Sequence, residues 1–128
     1  MHAEGAFCAV ALDEDKVRDT IGMCIARGFA CVNEGRAGVD GVLLGRVAEF
    51  WYSRATCAAD LAFYVRPDRR GSIAAVRLIQ AFVAWAREVG AAKVMIAQSS
   101  GVRVEETTHL LTGMGFAYRG GVFEWEIR

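Results

Sequence analysis

Three arginines, a glycine and a serine stand directly before a segment with the pattern of an amphipathic helix, in RPDRRGSIAAVRLIQAF, residues 66–82. The amino end of a helix carries partial positive charge and free backbone N–H groups, which favour acidic side chains over cations. Phosphate is the ligand that suits such an end, because N–H groups and arginine guanidinium groups both bind its oxygens. The stretch therefore predicts an anion site. The alternative is an ordinary solvated turn whose arginines point into water.

The sequence argues against several other kinds of site. The phosphate-binding motifs GxxxxGK[ST] and GxGxxG are both absent. The histidines, His2 and His109, and the four cysteines lie in no HExxH or CxxC motif. We therefore expect no metal, and the anion site has to be built from backbone N–H groups and arginines.

Composition indicates a folded chain without a strong overall charge. The 128 residues are 54% hydrophobic and include a single proline, which predicts one domain over residues 1–128. Fifteen basic residues balance fifteen acidic ones. Neither nucleic acid nor a membrane surface is an expected partner, because any attraction for anions has to be local.

The cysteines and the apolar runs indicate a cytoplasmic location. Cys8, Cys24, Cys31 and Cys57 all lie in apolar runs, as expected of reduced, buried thiols. No apolar run reaches the length of a membrane span, and MHAEGAF lacks the basic start and the cleavage site of a signal peptide.

The elements that would position the arginine stretch alternate between strands and helices. Asp13 is a candidate helix N-cap, apolar residues follow it at helical spacing, and Gly28 stops that helix. Gly45 is a candidate β-bulge. The pattern predicts helices over 13–28, 72–89 and 103–113, and strands over 6–12, 29–34, 39–53, 57–66, 93–99, 116–119 and 121–127.

This order predicts an α+β fold with a central mixed, mostly antiparallel sheet of about seven strands, flanked by three to four helices. Residues 93–99, KVMIAQS, form a continuous apolar run, so we expect this strand in the centre of the sheet. The last two strands, FAYR and GVFEWEI, are predicted to form a hairpin at Gly120-Gly121.

The arginine stretch in its context resembles a known family. VRPDRRGSIAAVRLI, preceded by the strand DLAFY and followed by GMGF and a last hairpin, resembles the GNAT superfamily of acyl-CoA-dependent N-acyltransferases, and looks most like its small phage and bacterial members. The resemblance covers nearly the whole chain, because the element order matches too. The family signature, Arg/Gln-x-x-Gly-x-Gly/Ala, falls on residues 70–75, where Arg70 and Ala75 fit and Ile73 replaces the usual second glycine.

The resemblance implies acetyl-CoA as the co-substrate. The loop from Arg70 to Ala75 would hold the pyrophosphate, Arg66 and Arg69 would reach the phosphates, and the strand ending at Val65 would pair with the pantetheine arm. In the family the strands corresponding to 57–66 and 93–99 splay apart, and a backbone N–H there polarises the thioester carbonyl. The implied cofactor-binding residues are Phe63, Tyr64, Val65, Arg66, Arg69, Arg70, Gly71, Ser72, Ile73, Ala74 and Ala75.

Direct acyl transfer to an amine in a ternary complex needs little more than proximity and a general base. Asp60, inside an apolar strand, is the first candidate for the base, and a local capping or pairing role is the alternative. Glu49 on the neighbouring strand is the second candidate, and an outward polar position in the strand alternation is the favoured alternative. Cys57 has no identifiable histidine partner, so a covalent route is not expected.

Two departures from the family bear on activity. Ile73 replaces a glycine, and Leu111 stands where many members carry a tyrosine that protonates the leaving thiolate. His109, on the same helix, is expected to be a surface or packing residue. Two functions stay open: an N-acetyltransferase acting on a small-molecule or peptide amine, or a catalytically degenerate GNAT-fold module that binds acyl-CoA or a protein partner without turnover.

Aromatic residues raise two further expectations. Trp51 and Tyr52 are candidates to line an acceptor pocket, with a core or interface position as the alternative. In the last predicted strand, Phe123 and Trp125 alternate with acidic residues. That alternation is compatible with a homodimer and equally with a half-buried edge strand.

Overall fold

The computed structural model describes residues 10–70, 73–97 and 104–127. These residues contain three α-helices, which are α1 (Glu14–Arg27), α2 (Ala74–Glu88) and α3 (Val104–Gly113). They also contain the strands β1 (Phe29–Gly35), β2 (Gly38–Glu49), β3 (Thr56–Val65) and β4 (Lys93–Met95), and a 3-10 turn at Pro67–Arg69. The contacts divide the chain into two units, Asp13–Ile96 and Met1–Leu12 with Ala97–Arg128. The first unit contains every element except α3. That the whole chain is one domain stays a prediction.

The four strands form one mixed sheet in the order β1-β2-β3-β4. β1 pairs antiparallel with β2, and β2 with β3, whereas β4 pairs parallel with β3. A mixed, mostly antiparallel sheet combined with helices confirms the predicted α+β class. The predicted count of about seven strands is not confirmed, because the described residues contain four.

Three of the predicted strands do not appear in the sheet. Residues 116–119 and 121–127 have no strand structure, and neither do residues 10–12, while residues 6–9 lie outside the described ranges. Alternating apolar and polar residues show that a segment is suited to a sheet. A strand forms only where another strand offers its backbone, and a local pattern carries no information about that partner.

β4 is shorter than predicted and lies at one end of the described sheet. Its residues Lys93 and Met95 are exposed and Val94 is half-buried. The expectation of a central strand over 93–99 is therefore wrong for the described part of this segment, and residues 98 and 99 lie outside it. A short apolar run shows that a segment is hydrophobic. It determines neither the length of the strand nor the number of strands beside it.

Local hydrogen bonds set both ends of α1, as predicted. The Asp13 carboxylate accepts a hydrogen bond from the Lys16 backbone N–H at 3.1 Å, and the Gly28 N–H donates to the Cys24 carbonyl oxygen at 3.0 Å. Val17 and Ile21, which repeat at helical spacing, are nevertheless exposed, and Cys24 is the buried residue of this helix. The spacing predicted the helix correctly, but not the face that packs.

α2 supplies most of the hydrophobic core of the first unit. The core cluster combines residues of β2, β3 and α2, and its members are Leu43, Ala58, Val65, Ala74, Leu78, Phe82 and Ala86. The Phe82 ring lies 5.2 Å from the Phe29 ring and 5.8 Å from the Trp85 ring, between centroids. This packing anchors α2 across the sheet.

The register of β2 with β3 shifts between Leu44 and Gly45. The extra residue in this irregularity is Leu61 of β3, so the bulge predicted at Gly45 lies on the partner strand. A Cβ atom at Gly45 would overlap the Phe82 ring and lie 3.1 Å from the Ala59 carbonyl oxygen. A residue without a side chain is therefore required for α2 to approach β2 this closely. Gly45 lies opposite Asp60 in the register.

α3 belongs to the second unit and ends in a Schellman motif. The Phe116 N–H donates to the Leu111 carbonyl oxygen at 3.0 Å, and the Gly115 N–H donates to the Thr112 carbonyl oxygen at 3.1 Å. Gly115 has a φ of 100°, which is the left-handed conformation this motif requires. The GMGF sequence is thus a helix C-cap. None of the described helices is long and apolar enough to cross a membrane.

Candidate functional site

The amino end of α2 keeps its partial positive charge. Ile73 is the N-cap residue and has no side-chain acceptor, and the first turn of α2 contains no acidic residue. The other two described helices each carry two acids there, Glu14 and Asp15 in α1 and Glu105 and Glu106 in α3. Acids in the first turn offset the helix dipole, so α2 is the described helix whose positive end is not compensated in this way. This is the end at which the sequence predicts an anion.

Ile73 fits its position without strain. Its φ of -70° and ψ of -9° are ordinary right-handed values that any L-residue adopts, and 56% of the residue is exposed. Ala74 is buried and Ala75 packs against the core, so their side chains face the protein interior. The other predicted loop residues, Gly71 and Ser72, lie outside the described ranges. The departure from the family glycine at position 73 therefore imposes no backbone penalty.

Each of the three arginines that precede α2 has an acceptor within the chain. The Arg66 guanidinium forms two hydrogen bonds with the Asp68 carboxylate, at 3.2 and 2.8 Å. Arg69 Nε donates to Asp40 Oδ2 at 3.2 Å. Arg70 Nε donates to the Val65 carbonyl oxygen at 3.0 Å, and its guanidinium lies 5.3 Å from the Tyr64 ring centroid. The arginines thus shape the turn, and their contact with a ligand stays a prediction.

Asp40 on β2 is the charged residue that sequence reasoning missed. It is 2% exposed, its Oδ1 accepts a hydrogen bond from Asn33 Nδ2 at 2.8 Å, and its backbone carbonyl accepts one from the Arg66 N–H at 2.8 Å. The hydrogen bond from Asn33 and the Arg69 guanidinium hold the pKa of the Asp40 carboxyl below its ordinary value, although burial acts in the opposite direction. A lone acid in the apolar stretch VDGVLL was the available signal.

The lowered pKa of Asp40 predicts a stability difference that disappears in acid. A carboxyl group whose pKa is depressed by folding stabilises the native state above its unfolded pKa of about 3.9, and this contribution is lost as the pH falls through the folded pKa. We expect Asp40→Asn to lower the urea midpoint at pH 7 and to lower it less near pH 3, which is below the unfolded pKa. An equal difference at both pH values would contradict the lowered pKa.

β3 extends six residues beyond its last pair with β4. Their pairing consists of Cys57 with Lys93, Ala58 with Val94 and Ala59 with Met95. β3 continues to Val65, with Phe63 opposite Leu43 of β2. Within the described residues, the segment 61–65 therefore has strand pairing on one side only. Its other edge can pair with an extended ligand that carries amide groups, as an added strand does.

The two candidate bases lie at different places along this strand pair. Asp60 is half-buried and follows Ala59, the last residue paired with β4. Glu49 is exposed and pairs with Thr56, at the other end of the hairpin. Thr56 and Asp60 are four positions apart in β3, which is roughly 13 Å of strand. The structure therefore does not bring Asp60 and Glu49 together, and Asp60 is the one beside the point where β3 and β4 separate.

The remaining candidates belong to other elements of the chain. Trp51 and Tyr52 are exposed in the loop between β2 and β3, where Tyr52 stacks on Phe50 with ring centroids 5.5 Å apart. In α3, Leu111 is buried and His109 is exposed. Among the residues whose positions the structure gives, no group of three or more potential ligands could hold a metal ion.

Comparison with known proteins agrees with this architecture. The model of the acetyltransferase (GNAT) family matches residues 2–116. A search of curated proteins found no match. Solved structures of low sequence identity share the fold, and the three that follow cover this chain almost completely.

An acetyltransferase from Trypanosoma brucei has a TM-score of 0.70 at 17% identity, covering 93% of this chain and 83% of its own. AAC(6')-Iy, solved in complex with the bisubstrate analogue CoA-S-monomethyl-acetylneamine, has a TM-score of 0.72 at 14% identity, with coverages of 91% and 81%. Glucosamine-6-phosphate N-acetyltransferase from Arabidopsis thaliana has a TM-score of 0.69 at 10% identity, with coverages of 92% and 81%. Because the family model spans nearly the whole chain and the fold agrees, the chain belongs to the GNAT family of acetyltransferases.

Proposed function

We propose that this chain is an N-acetyltransferase that transfers an acetyl group from acetyl-CoA to an amine by direct attack in a ternary complex. The acceptor in this proposal is an amine on a small molecule or a peptide. The observation that carries it is the combination of a one-sided β3 edge over 61–65 and the uncompensated amino end of α2 next to it. The first offers backbone groups to the pantetheine amides, and the second offers positive charge to the pyrophosphate.

The residues proposed to hold coenzyme A follow the chain from β3 into α2. Phe63, Tyr64 and Val65 pair with the pantetheine arm, while Arg66 and Arg69 approach the phosphates from the turn. The pyrophosphate lies on the segment Arg70, Gly71, Ser72, Ile73, Ala74 and Ala75. The structural neighbours have low sequence identity to this chain, so they support the fold and no residue assignment. The assignments rest on the local geometry and on the family signature.

The proposed reaction needs no covalent enzyme intermediate. The neutral amine nitrogen attacks the thioester carbonyl carbon, a C–N bond forms and the C–S bond breaks. The amine loses one proton and the coenzyme A thiolate gains one, so the products are an amide and free coenzyme A. Most of the acceleration comes from holding the two substrates together, since an oriented pair reacts far faster than free partners.

Asp60 is the proposed general base. It lies one residue beyond the last β3–β4 pair and is half-buried, next to the edge proposed for the pantetheine arm. Glu49 is the second candidate, and it is exposed at the opposite end of the hairpin. A base has to be within hydrogen-bond reach of the attacking amine, so at most one of these two acts in a given complex.

Calorimetric titration with acetyl-CoA tests the proposal directly. We expect micromolar binding by the natural chain, and a dissociation constant raised roughly tenfold to a hundredfold by Arg70→Ala, because a hydrogen bond to a charged group contributes about 1.5–3 kcal/mol. Arg87→Ala is the matched control, since Arg87 is an exposed arginine in the last turn of the same helix. It removes the same charge about 20 Å from the amino end.

The outcomes separate the two functions considered for the sequence. Binding that Arg70→Ala weakens and Arg87→Ala preserves, together with release of free thiol when amines are added, supports the transferase. Binding without thiol release across a panel of amines supports the degenerate module. A natural chain that does not bind acetyl-CoA would overturn the proposed function.

A further inference from the structure

Asp40 joins three segments that meet at the arginine turn. Its carboxylate accepts hydrogen bonds from Asn33 on β1 and from Arg69 in the 3-10 turn, and its backbone oxygen accepts one from the Arg66 N–H. It lies on β2 and is 2% exposed. Neither the family signature nor the proposed reaction gives this residue a role.

We propose that Asp40 is a positioning residue for the coenzyme A phosphates and that it acts through Arg69, an inference that rests on the proposed function. The Arg69–Asp40 contact uses Nε, so the two terminal nitrogens of the guanidinium keep donors for other acceptors. The Arg69 side chain is 48% exposed and borders a surface pocket of about 350 Å³. Asp40 holds this guanidinium in one orientation at the pocket, so less side-chain freedom is lost when a phosphate binds.

The charges around the pocket favour a positioning role over simple attraction. Arg36, Arg66 and Arg69 line it together with Asp40 and Asp68, and two of the arginines are already paired with these acids. An acid at this place lowers the local positive charge and so weakens the attraction for a phosphate. A buried carboxylate is costly unless it is well paired, and here its pairs fix the geometry of the turn.

Charge and positioning predict opposite changes in coenzyme A affinity when Asp40 is replaced by asparagine. If charge alone matters, Asp40→Asn removes a negative charge and tightens coenzyme A binding. If Asp40 positions Arg69, the same change weakens binding, and we expect a dissociation constant about tenfold higher by calorimetry. The matched control is Glu34→Gln, because Glu34 is an exposed acid on the same hairpin, opposite Val39. Its binding is expected to stay within twofold of the natural chain.

A double-mutant comparison distinguishes action through Arg69 from a general structural loss. We expect Arg69→Met to weaken coenzyme A binding about as much as Asp40→Asn, and Asp40→Asn to cause no further loss in the Arg69→Met background. Additive losses of affinity would overturn the inference, and so would binding by Asp40→Asn that equals or exceeds that of the natural chain.

Arg69→Met also tests the inference if Asp40→Asn fails to fold, because Arg69 is half-exposed and its removal leaves the core intact. Unchanged binding by Arg69→Met would then overturn it. A natural chain that binds no coenzyme A overturns the proposed function and this inference with it. A natural chain that binds, with variants that bind equally well, overturns the positioning role alone.

Discussion

Ile73→Glu is expected to abolish most of the coenzyme A binding while leaving the fold at least as stable as before. Ile73 is the N-cap residue of α2 and is 56% exposed, so the change opens no cavity. A carboxylate at the amino end of a helix interacts favourably with the dipole, by about 0.3–1 kcal/mol. The same carboxylate would face the phosphates of the proposed ligand.

Coulomb's law sets the size of that repulsion. Two unit charges 4 Å apart interact by about 1 kcal/mol in water and about 4 kcal/mol at a protein surface. A half-exposed position lies between these limits, and about 2.7 kcal/mol corresponds to a hundredfold rise in the dissociation constant. Opposite effects on stability and on binding are the distinctive result, because general damage to the fold would lower both.

The control for this experiment is Ile73→Gln, which has the size of glutamate without its charge. Its affinity for coenzyme A is expected to stay within a few-fold of that of the natural chain. Calorimetric titration measures the affinity of each variant, and thermal unfolding without ligand measures its stability. Equal affinity of the glutamate and glutamine variants would mean that no anion binds at this end of α2.

Phe82→Ala is expected to cause the largest loss of stability of any change considered. Phe82 is fully buried, its ring contacts the rings of Phe29 and Trp85, and it fills the space beside Gly45. Truncation of such a residue removes buried apolar surface and leaves a cavity, at about 3–5 kcal/mol. Since small proteins have a total stability of about 5–15 kcal/mol, part of the population would be unfolded at physiological temperature.

Urea denaturation of the natural chain and of two variants measures this loss. Phe123→Ala is the matched control, because Phe123 is fully exposed and its truncation is expected to change stability by less than about 0.5 kcal/mol. A loss below about 1 kcal/mol for Phe82→Ala would mean that α2 does not pack on β2 as described.

The elements that the sequence predicted well are those determined by neighbouring residues. The Asp13 cap and the Gly28 stop of α1 each depend on partners within four positions. The predicted helix over 72–89 corresponds to α2, Ala74–Glu88, because its apolar period and the preceding Pro67 act locally. Gly45 marked the place where the register of β2 with β3 shifts, although the extra residue, Leu61, belongs to β3.

The strand pattern was a weaker guide, because strands need partners from elsewhere in the chain. The apolar run over 93–99 predicted a central strand, and the described residues form a three-residue strand at one end of the sheet. GVFEWEI has suitable alternation, yet neither it nor FAYR forms a strand. In both cases the pattern describes the segment, while pairing depends on the path of the whole chain.

By itself, the sequence determined that an arginine-rich turn precedes a helix without acids in its first turn, and this is enough to predict an anion site and to recognise the family. Only the tertiary structure decided how that turn is held. The Asp40–Arg69 pair joins residues 29 positions apart, and the separation of β3 from β4 occurs after Ala59. Helix caps and helical periodicity depend on residues a few positions apart in the sequence. Ion pairs and sheet edges depend on distant segments that only the folded chain brings together.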